Sequence, residues 1–163
     1  VITVGILMGS ESDLPTMKVA HETLAALGVA SELRVLSAHR TPDEAGTYAR
    51  EAEHKGCKVL IAGAGLAAHL AGALVAQTIL PVIGVPLAAG TLGGLDALLS
   101  TVQMPPGLPV ATVAIGGAQN AALLAAAIVA LSDPALADRL RERRKQMRDK
   151  VLAADAKARG TQS

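Results

Sequence analysis

From residue 59 to residue 132 the chain carries one charged side chain, Asp96; all its other charges fall before or after that stretch. A bilayer-spanning helix needs about 20 continuous apolar residues. Here Gly63, Gly65, Gly72, Pro81, Gly84, Pro86, Gly90, Gly93 and Gly94 cut the stretch into shorter runs. Runs of that length suit parallel strands buried on both faces and helices packed in an interior. The uncharged middle therefore points to an α/β protein with an enclosed sheet. It also leaves little polar material for its own exterior, so part of it is expected to be covered by other copies of the chain. At 163 residues and 51% apolar, the length suits one domain with a full core. Tyr48 is the one aromatic residue, so Ala, Val, Leu and Ile must fill that core.

Start and stop signals divide the chain into alternating elements. Strands are expected at 2–8, 30–36, 59–62, 82–85 and 110–115. The first helix is opened by Ser12 or Asp13, has Pro15 in its first turn, buries Met17, Ala20, Leu24 and Leu27, and stops at Gly28. The second runs over 42–55, with Thr41 as N-cap, Pro42 first and Glu44 completing a capping box. A third follows the loop 63–70 and ends near Ile79, and a short one covers 95–100. An Ala-rich helix begins at Gln119 or Asn120 and reaches Leu131. Pro134 opens a charged helix that ends near Lys157. This order predicts a three-layer, doubly wound, mostly parallel sheet of the flavodoxin-like or Rossmann-like kind, with a C-terminal extension helix. Residues 1–163 form one domain, with the charged helix over 133–159 and a loose tail over 160–163.

In such a sheet the carboxyl ends of the strands share one edge, where ligands bind. Three polar loops fall there: 10–13, 37–40 and 63–69. Ser10, Ser12 and Asp13 follow a strand and open a helix, a setting suited to an anion. Asp13 is either a helix cap or an acceptor for ribose hydroxyls, two roles that compete for the same oxygens. Ser37, His39 and Arg40 stand between a strand end and a helix start. Arg40 offers a positive fork for phosphate or carboxylate, and His39 an imidazole able to move protons near neutrality. The plainer alternative is a solvated loop beside a capping Thr. His69, among apolar neighbours, reads on its own as a core histidine, while His21 and His54 read as exposed.

Several function classes find no support. No His, Cys or carboxylate set has metal-ligand spacing, and no serine stands in a G-x-S-x-G elbow. Gly63-x-Gly65 with Ala68 approaches a dinucleotide fingerprint, but no acidic residue closes the next strand. A ligand the size of a mononucleotide fits better. The net charge of +1 gives no pull toward nucleic acid or an anionic membrane. Cys57 is the lone cysteine, which says nothing against a reducing cytoplasm and gives no support for secretion, and no signal-peptide pattern opens the sequence.

Taken together, Met8-Gly9-Ser10-x-Ser12-Asp13, Ser37-Ala38-His39-Arg40-Thr41-Pro42, Ala62-Gly63-Ala64-Gly65, Ala67-Ala68-His69-Leu70, Gly84-Val85-Pro86 and Val102-Gln103-Met104-Pro105 resemble one family. It is the class I N5-carboxyaminoimidazole ribonucleotide mutases of bacterial purine biosynthesis. Asn120 to Ala126 extends the likeness over nearly the whole chain. Arg40 after His39, followed by Pro42, favours class I over the animal-type carboxylases. The chain differs from the family pattern at Leu66, where Gly is usual, at Ala71, where Pro is usual, and at Ala97, where Ser is common.

The resemblance implies an isomerase that moves a carboxylate from the exocyclic nitrogen to C4 of an aminoimidazole ribonucleotide, without cofactor or metal. It implies decarboxylation and recarboxylation, with His39 carrying the proton. Ser10, Ser12, Ser37 and Arg40 would hold the phosphate and Asp13 the ribose. Gly63, Ala64, Gly65, Ala68 and Leu70 would approach the imidazole and carboxylate through backbone N–H groups, with His69 nearby. It also implies a cytoplasmic homo-octamer with sites near subunit borders. The alternatives are a carboxylase using free carbon dioxide on the same nucleotide, and a non-catalytic module that binds nucleotide phosphate. His39 argues against the module, since a phosphate site needs no titrating imidazole. The amphipathic helix after Pro134, with Leu136, Leu140, Met147 and Leu152, is expected to wrap a neighbouring subunit. Deleting it is expected to reduce both size and activity.

Overall fold

The computed structural model describes residues 1–160, so Thr161, Gln162 and Ser163 of the expected loose tail lie outside the described residues. Gly160 belongs to the last helix. The strands are β1 (Val4–Met8), β2 (Ser31–Val35), β3 (Val59–Gly65), β4 (Val82–Leu87) and β5 (Ala111–Thr112). The helices are α1 (Leu14–Ala26), α2 (Pro42–Ala52), α3 (Leu70–Val75), α4 (Leu95–Val102), α5 (Ala118–Val129) and α6 (Pro134–Gly160). A single 3-10 turn precedes each of α1 and α4. Among the described residues the sheet has the order β2-β1-β3-β4-β5, and every pairing is parallel. This is the flavodoxin-like doubly wound arrangement.

Residue parity along the strands sorts the core into two layers, because successive side chains point to opposite faces. Val4, Ile6 and Met8 of β1, with Val59, Ile61, Ile83 and Val85, meet Met17, Ala20 and Leu24 of α1 and the alanines of α5. Leu7, Leu60, Ala62 and Val82 face the other way, onto Ala45, Tyr48 and Ala49 of α2 and Leu70, Ala71 and Leu74 of α3. Both faces of β1, β3 and β4 are covered, which is why these strands read as continuous apolar runs. The near absence of aromatics lets helices sit close. A Cβ on Gly5 would run into the Tyr48 hydroxyl, and one on Gly84 into Thr101 of α4.

Several boundaries differ from the sequence expectation. β3 extends through Gly63-Ala64-Gly65, which pair with Val85, Pro86 and Leu87 of β4 rather than forming a loop. Here glycine answers close packing rather than a turn: a Cβ on Gly63 would collide with the Met17 sulfur, and one on Gly65 would lie 2.9 Å from the Ala89 Cβ. β5 has two residues instead of six. Pro86 accepts from Gly116 N at 2.8 Å but has no N–H to return on that side, so the edge ladder is interrupted. α3 stops at Val75, well short of Ile79, and the chain turns through Thr78, whose hydroxyl accepts the Leu80 amide. α2 ends at Ala52, and Gly56 at φ +92° carries the chain into β3. Thr41 is the N-cap residue of α2, as expected, and Pro42 its first residue, but its side chain makes no cap hydrogen bond, so the expected capping box with Glu44 is not formed. The Thr41 hydroxyl accepts the Ser37 amide at 2.8 Å, closing the preceding loop instead.

α6 leaves the body of the molecule. Asp133 caps it by accepting the Leu136 amide at 3.0 Å, Leu136 is fully buried, and Arg139 donates to the Leu27 carbonyl at 2.8 Å. Beyond Leu140 its residues are exposed apart from the half-buried Arg143. Among the described residues no helix is long and apolar enough to cross a membrane.

Candidate active site

The strand order places β1 between β2 and β3, so the connections leaving β1 and β3 depart to opposite faces, α1 to one and α3 to the other. A crevice opens where they part, at the carboxyl ends of the strands. It is a cleft of about 540 Å³, within the range of small-molecule sites. A second cleft of about 550 Å³ lies among Val75, Thr78, Ile79, Pro81, Leu108 and Pro109. That one has no titratable side chain, so the chemistry belongs to the first.

The loop after β1 is wound by its own side chains. Ser10 caps the 3-10 turn that leads into α1, its Oγ accepting the Ser12 amide at 3.4 Å and the Ser12 hydroxyl at 3.0 Å. Asp13 closes the box by accepting the Ser10 amide on Oδ2 at 3.0 Å. Asp13 is the N-cap residue of α1, one of the two expected, but its side chain makes no cap bond there and instead closes the 3-10 turn that Ser10 caps. Asp13 spends one oxygen on this turn, so capping and ligand binding need not exclude each other. Burial pushes its carboxyl up, against the opposing pull of the Ser10 N–H and the Arg40 charge.

The loop after β2 is held with equal economy. The Ser37 hydroxyl accepts the amides of His39 at 3.3 Å and Arg40 at 3.2 Å. Arg40 crosses to the first loop, donating from Nη2 to the Gly9 carbonyl at 2.7 Å. The Gly9 amide in turn donates to the Gly63 carbonyl at 3.3 Å. The first two loops and the end of β3 are therefore joined, with a guanidinium at the join.

From the third connection His69 reaches His39: His39 Nε2 and His69 Nδ1 are 2.7 Å apart. The rings meet edge to face, with centroids 4.9 Å apart and an interplanar angle of 78°. Between two ring nitrogens one must donate and the other accept, so the pair holds one proton in its hydrogen bond. His69 is exposed, not a core histidine. Its apolar neighbours Ala68 and Leu70 are buried and its own ring faces the cleft, because it is the last residue before α3. His54 is exposed as expected, whereas His21 is half-buried with Nδ1 2.8 Å from the Ser31 hydroxyl.

Ser10, Ser12, Asp13, Ser37, His39, Arg40, Ala64, Gly65, His69 and Leu70 line the cleft. Gly63 and Ala68 do not. Gly63 is buried beneath Met17, and the Ala68 amide is taken by Ser100 Oγ at 2.9 Å. Leu66 and Ala67, inside the expected 63–70 stretch, also line it, and Gly9, Ala38 and Ala89 complete the lining without having been singled out as ligand-binding. Ala89 follows the fourth strand, and its place at the carboxyl edge of the sheet was the available signal. Among the described residues no three His, Cys, Asp or Glu side chains gather in a way that could hold a metal ion.

Residues 3–150 match the AIR carboxylase family. The chain is 55% identical over 148 residues to the N5-carboxyaminoimidazole ribonucleotide mutase of Pyrococcus horikoshii, covering 91% of this chain and 84% of that protein. It is 56% identical over 152 residues to the mutase of the same name from Brucella melitensis, covering 92% and 94%. The crystal structure of Treponema denticola PurE superposes with a TM-score of 0.88 at 30% identity, covering 96% of this chain and 98% of that one.

Proposed function

The chain belongs to the AIR carboxylase family, and we propose that within it the chain acts as an N5-carboxyaminoimidazole ribonucleotide mutase of purine biosynthesis, with the His39 cleft as its active site. It is an isomerase: the carboxyl group moves from the exocyclic nitrogen to C4 of the imidazole. The observation that carries the assignment of the site is the His39–His69 pair at the switch point of the sheet, 2.7 Å between nitrogens. An anion-binding module has no use for that pair, whereas a carboxylate exchange does.

The reaction needs a proton to reach nitrogen as carbon dioxide departs, and a proton to leave C4 once the new bond forms. An imidazole whose unperturbed pKa is near neutrality serves both steps. His69, through Nδ1, holds the orientation of the His39 ring. Arg40, Ser10, Ser12 and the start of the α1 segment suit the substrate phosphate. Asp13 has carboxylate capacity left for the ribose hydroxyls. Ala64, Gly65, Leu66, Ala67 and Ala89 give an apolar wall, which excludes water and disfavours a solvated carboxylate. The ligand is thus a small ribonucleotide, and the reading asks for no cofactor.

The same reading includes a cytoplasmic homo-octamer. Leu92, Leu95, Leu99 and Val102, on and just before α4, form an exposed apolar stripe. Such a stripe, and an α6 exposed beyond Leu140, suit subunit contacts in a closed symmetric assembly. The experiment for the function supplies the N-carboxylated nucleotide without added bicarbonate and follows the C4-carboxylated product. Turnover is expected. Product formed only from the uncarboxylated nucleotide with high bicarbonate would make the protein a carboxylase, and binding without turnover would make it a module.

A further inference from the structure

Leu66 lies at φ +55°, the one residue other than glycine with a positive φ among the described residues. For a residue with a Cβ that conformation costs roughly 1–2 kcal/mol, so surrounding contacts must enforce it. Two do. Ser100, on α4 and outside the cleft, accepts the Ala68 amide at 2.9 Å while its own hydroxyl faces the Asp96 carbonyl at 2.9 Å, with the Leu66 carbonyl at 3.4 Å, so it ties the turn to α4 through the Ala68 amide. On the other side the Leu66 side chain rests against Gly90: a Cβ there would be 2.9 Å from Leu66 Cδ2. Leu66 therefore reaches from the loop after β3 to the loop after β4. It is 54% exposed and lines the cleft beside Ala67 and Ala89.

We propose that Leu66, held in its left-handed turn by Ser100, is an apolar lip that retains carbon dioxide in the cleft between its release from nitrogen and its capture by carbon. The inference rests on the mutase reading. As the N–C bond breaks, its electron pair returns to the nitrogen, which takes a proton from His39. The neutral, apolar carbon dioxide stays beside the ring until C4 forms the new C–C bond and returns its proton to His39. During that interval no charge or hydrogen bond of note anchors the migrating group. What holds it is the exclusion of water by the apolar part of the wall. Leu66 supplies the part of that wall at the mouth, and Ser100 acts on it as a positioning residue.

The test is carried out on the full chain with substrate labelled at the migrating carboxyl carbon, in buffer containing excess unlabelled bicarbonate. The unsubstituted protein is expected to pass most label to C4. In Leu66→Gly the lip is removed while the backbone is relieved of strain, so the fold is kept. Label lost to solvent per product formed should rise about fivefold, the ratio that corresponds to about 1 kcal/mol. Ser100→Ala should raise label loss in the same direction, and Ser100→Thr, which keeps the hydroxyl, should restore retention. In the Leu66→Gly background, Ser100→Ala should add little, since glycine needs no enforcement. Unchanged retention in Leu66→Gly with normal turnover overturns the lip alone. Additive effects of the two substitutions overturn the role of Ser100. Absence of turnover by the unsubstituted protein overturns the mutase reading and the lip with it.

Discussion

In the loop after β2 the Ser37 hydroxyl holds two consecutive amides, those of His39 and Arg40, and Thr41 closes the other end. The side chains of His39 and Arg40 are thereby presented by a backbone that is already fixed. Arg40 does two jobs at once, donating to the Gly9 carbonyl and carrying the positive charge of the cleft. Arg40→Ala is expected to weaken binding of the phosphorylated ligand by about 10- to 100-fold, the range for a hydrogen bond to a charged group. The ligand without its phosphate should lose less, a comparison that isothermal titration of both makes directly; equal losses would assign Arg40 to loop structure alone. The importance of His39 was legible from its place between a strand end and a helix start. His69 was placed at the same sheet edge by its loop and beside the imidazole by the family resemblance, although its apolar sequence neighbours mark it as core. Its direct contact with His39, 30 residues earlier, comes from the fold.

At the scale of elements, the strands and helices were foreseen in kind and order, and the errors lie at their ends. Glycine misled at β3, where Gly63 and Gly65 serve close contact with Met17 and Ala89 rather than a turn. A run of apolar residues misled at β5, because the interruption comes from Pro86 on the neighbouring strand. The packing of α2 on the sheet has its own consequence for pH. Tyr48 donates to Glu32 at 2.8 Å across the opening left by Gly5. Burial, and after it the Glu32 contact, push its hydroxyl well above the usual tyrosine range, and burial also pushes the Cys57 thiol up. Groups with a raised folded pKa keep their proton in the native state when the unfolded chain has lost it. Their contribution is therefore complete below the unfolded pKa values and falls as pH rises past about 8.5 for Cys and about 10 for Tyr. Urea midpoints should decline from pH 8 to 11, and Tyr48→Phe should flatten the upper part of that decline. An equally steep decline in the variant would remove Tyr48 from the explanation.

For the whole molecule, the uncharged stretch did indicate an enclosed parallel sheet, and the observed order of strands fixes where its crevice opens. Hydropathy could not give that order, because it depends on which face each connecting helix covers. The C-terminal helix is divided by function more sharply than its sequence suggests. Leu136 and Arg139 belong to the body of the molecule, so removing everything from Pro134 would damage the core as well as any assembly. Ending the chain at Leu140 is the cleaner cut. Light scattering on that variant should show fewer chains per particle than the proposed octamer of the uncut chain, with circular dichroism reporting an intact body. An unchanged number of chains per particle would show that residues after Leu140 take no part in assembly.

The central claim is that His39 moves the proton in a carboxyl transfer carried out at the switch-point cleft. It is tested most directly by comparing His39→Asn with the unsubstituted protein for both turnover and binding of the N-carboxylated nucleotide. Asn retains hydrogen bonding at similar size but cannot carry a proton near neutrality. Turnover should fall by roughly 10²- to 10⁴-fold while the dissociation constant of the nucleotide changes little. A variant that keeps most of its rate would contradict the account and make His39 a structural residue of its loop.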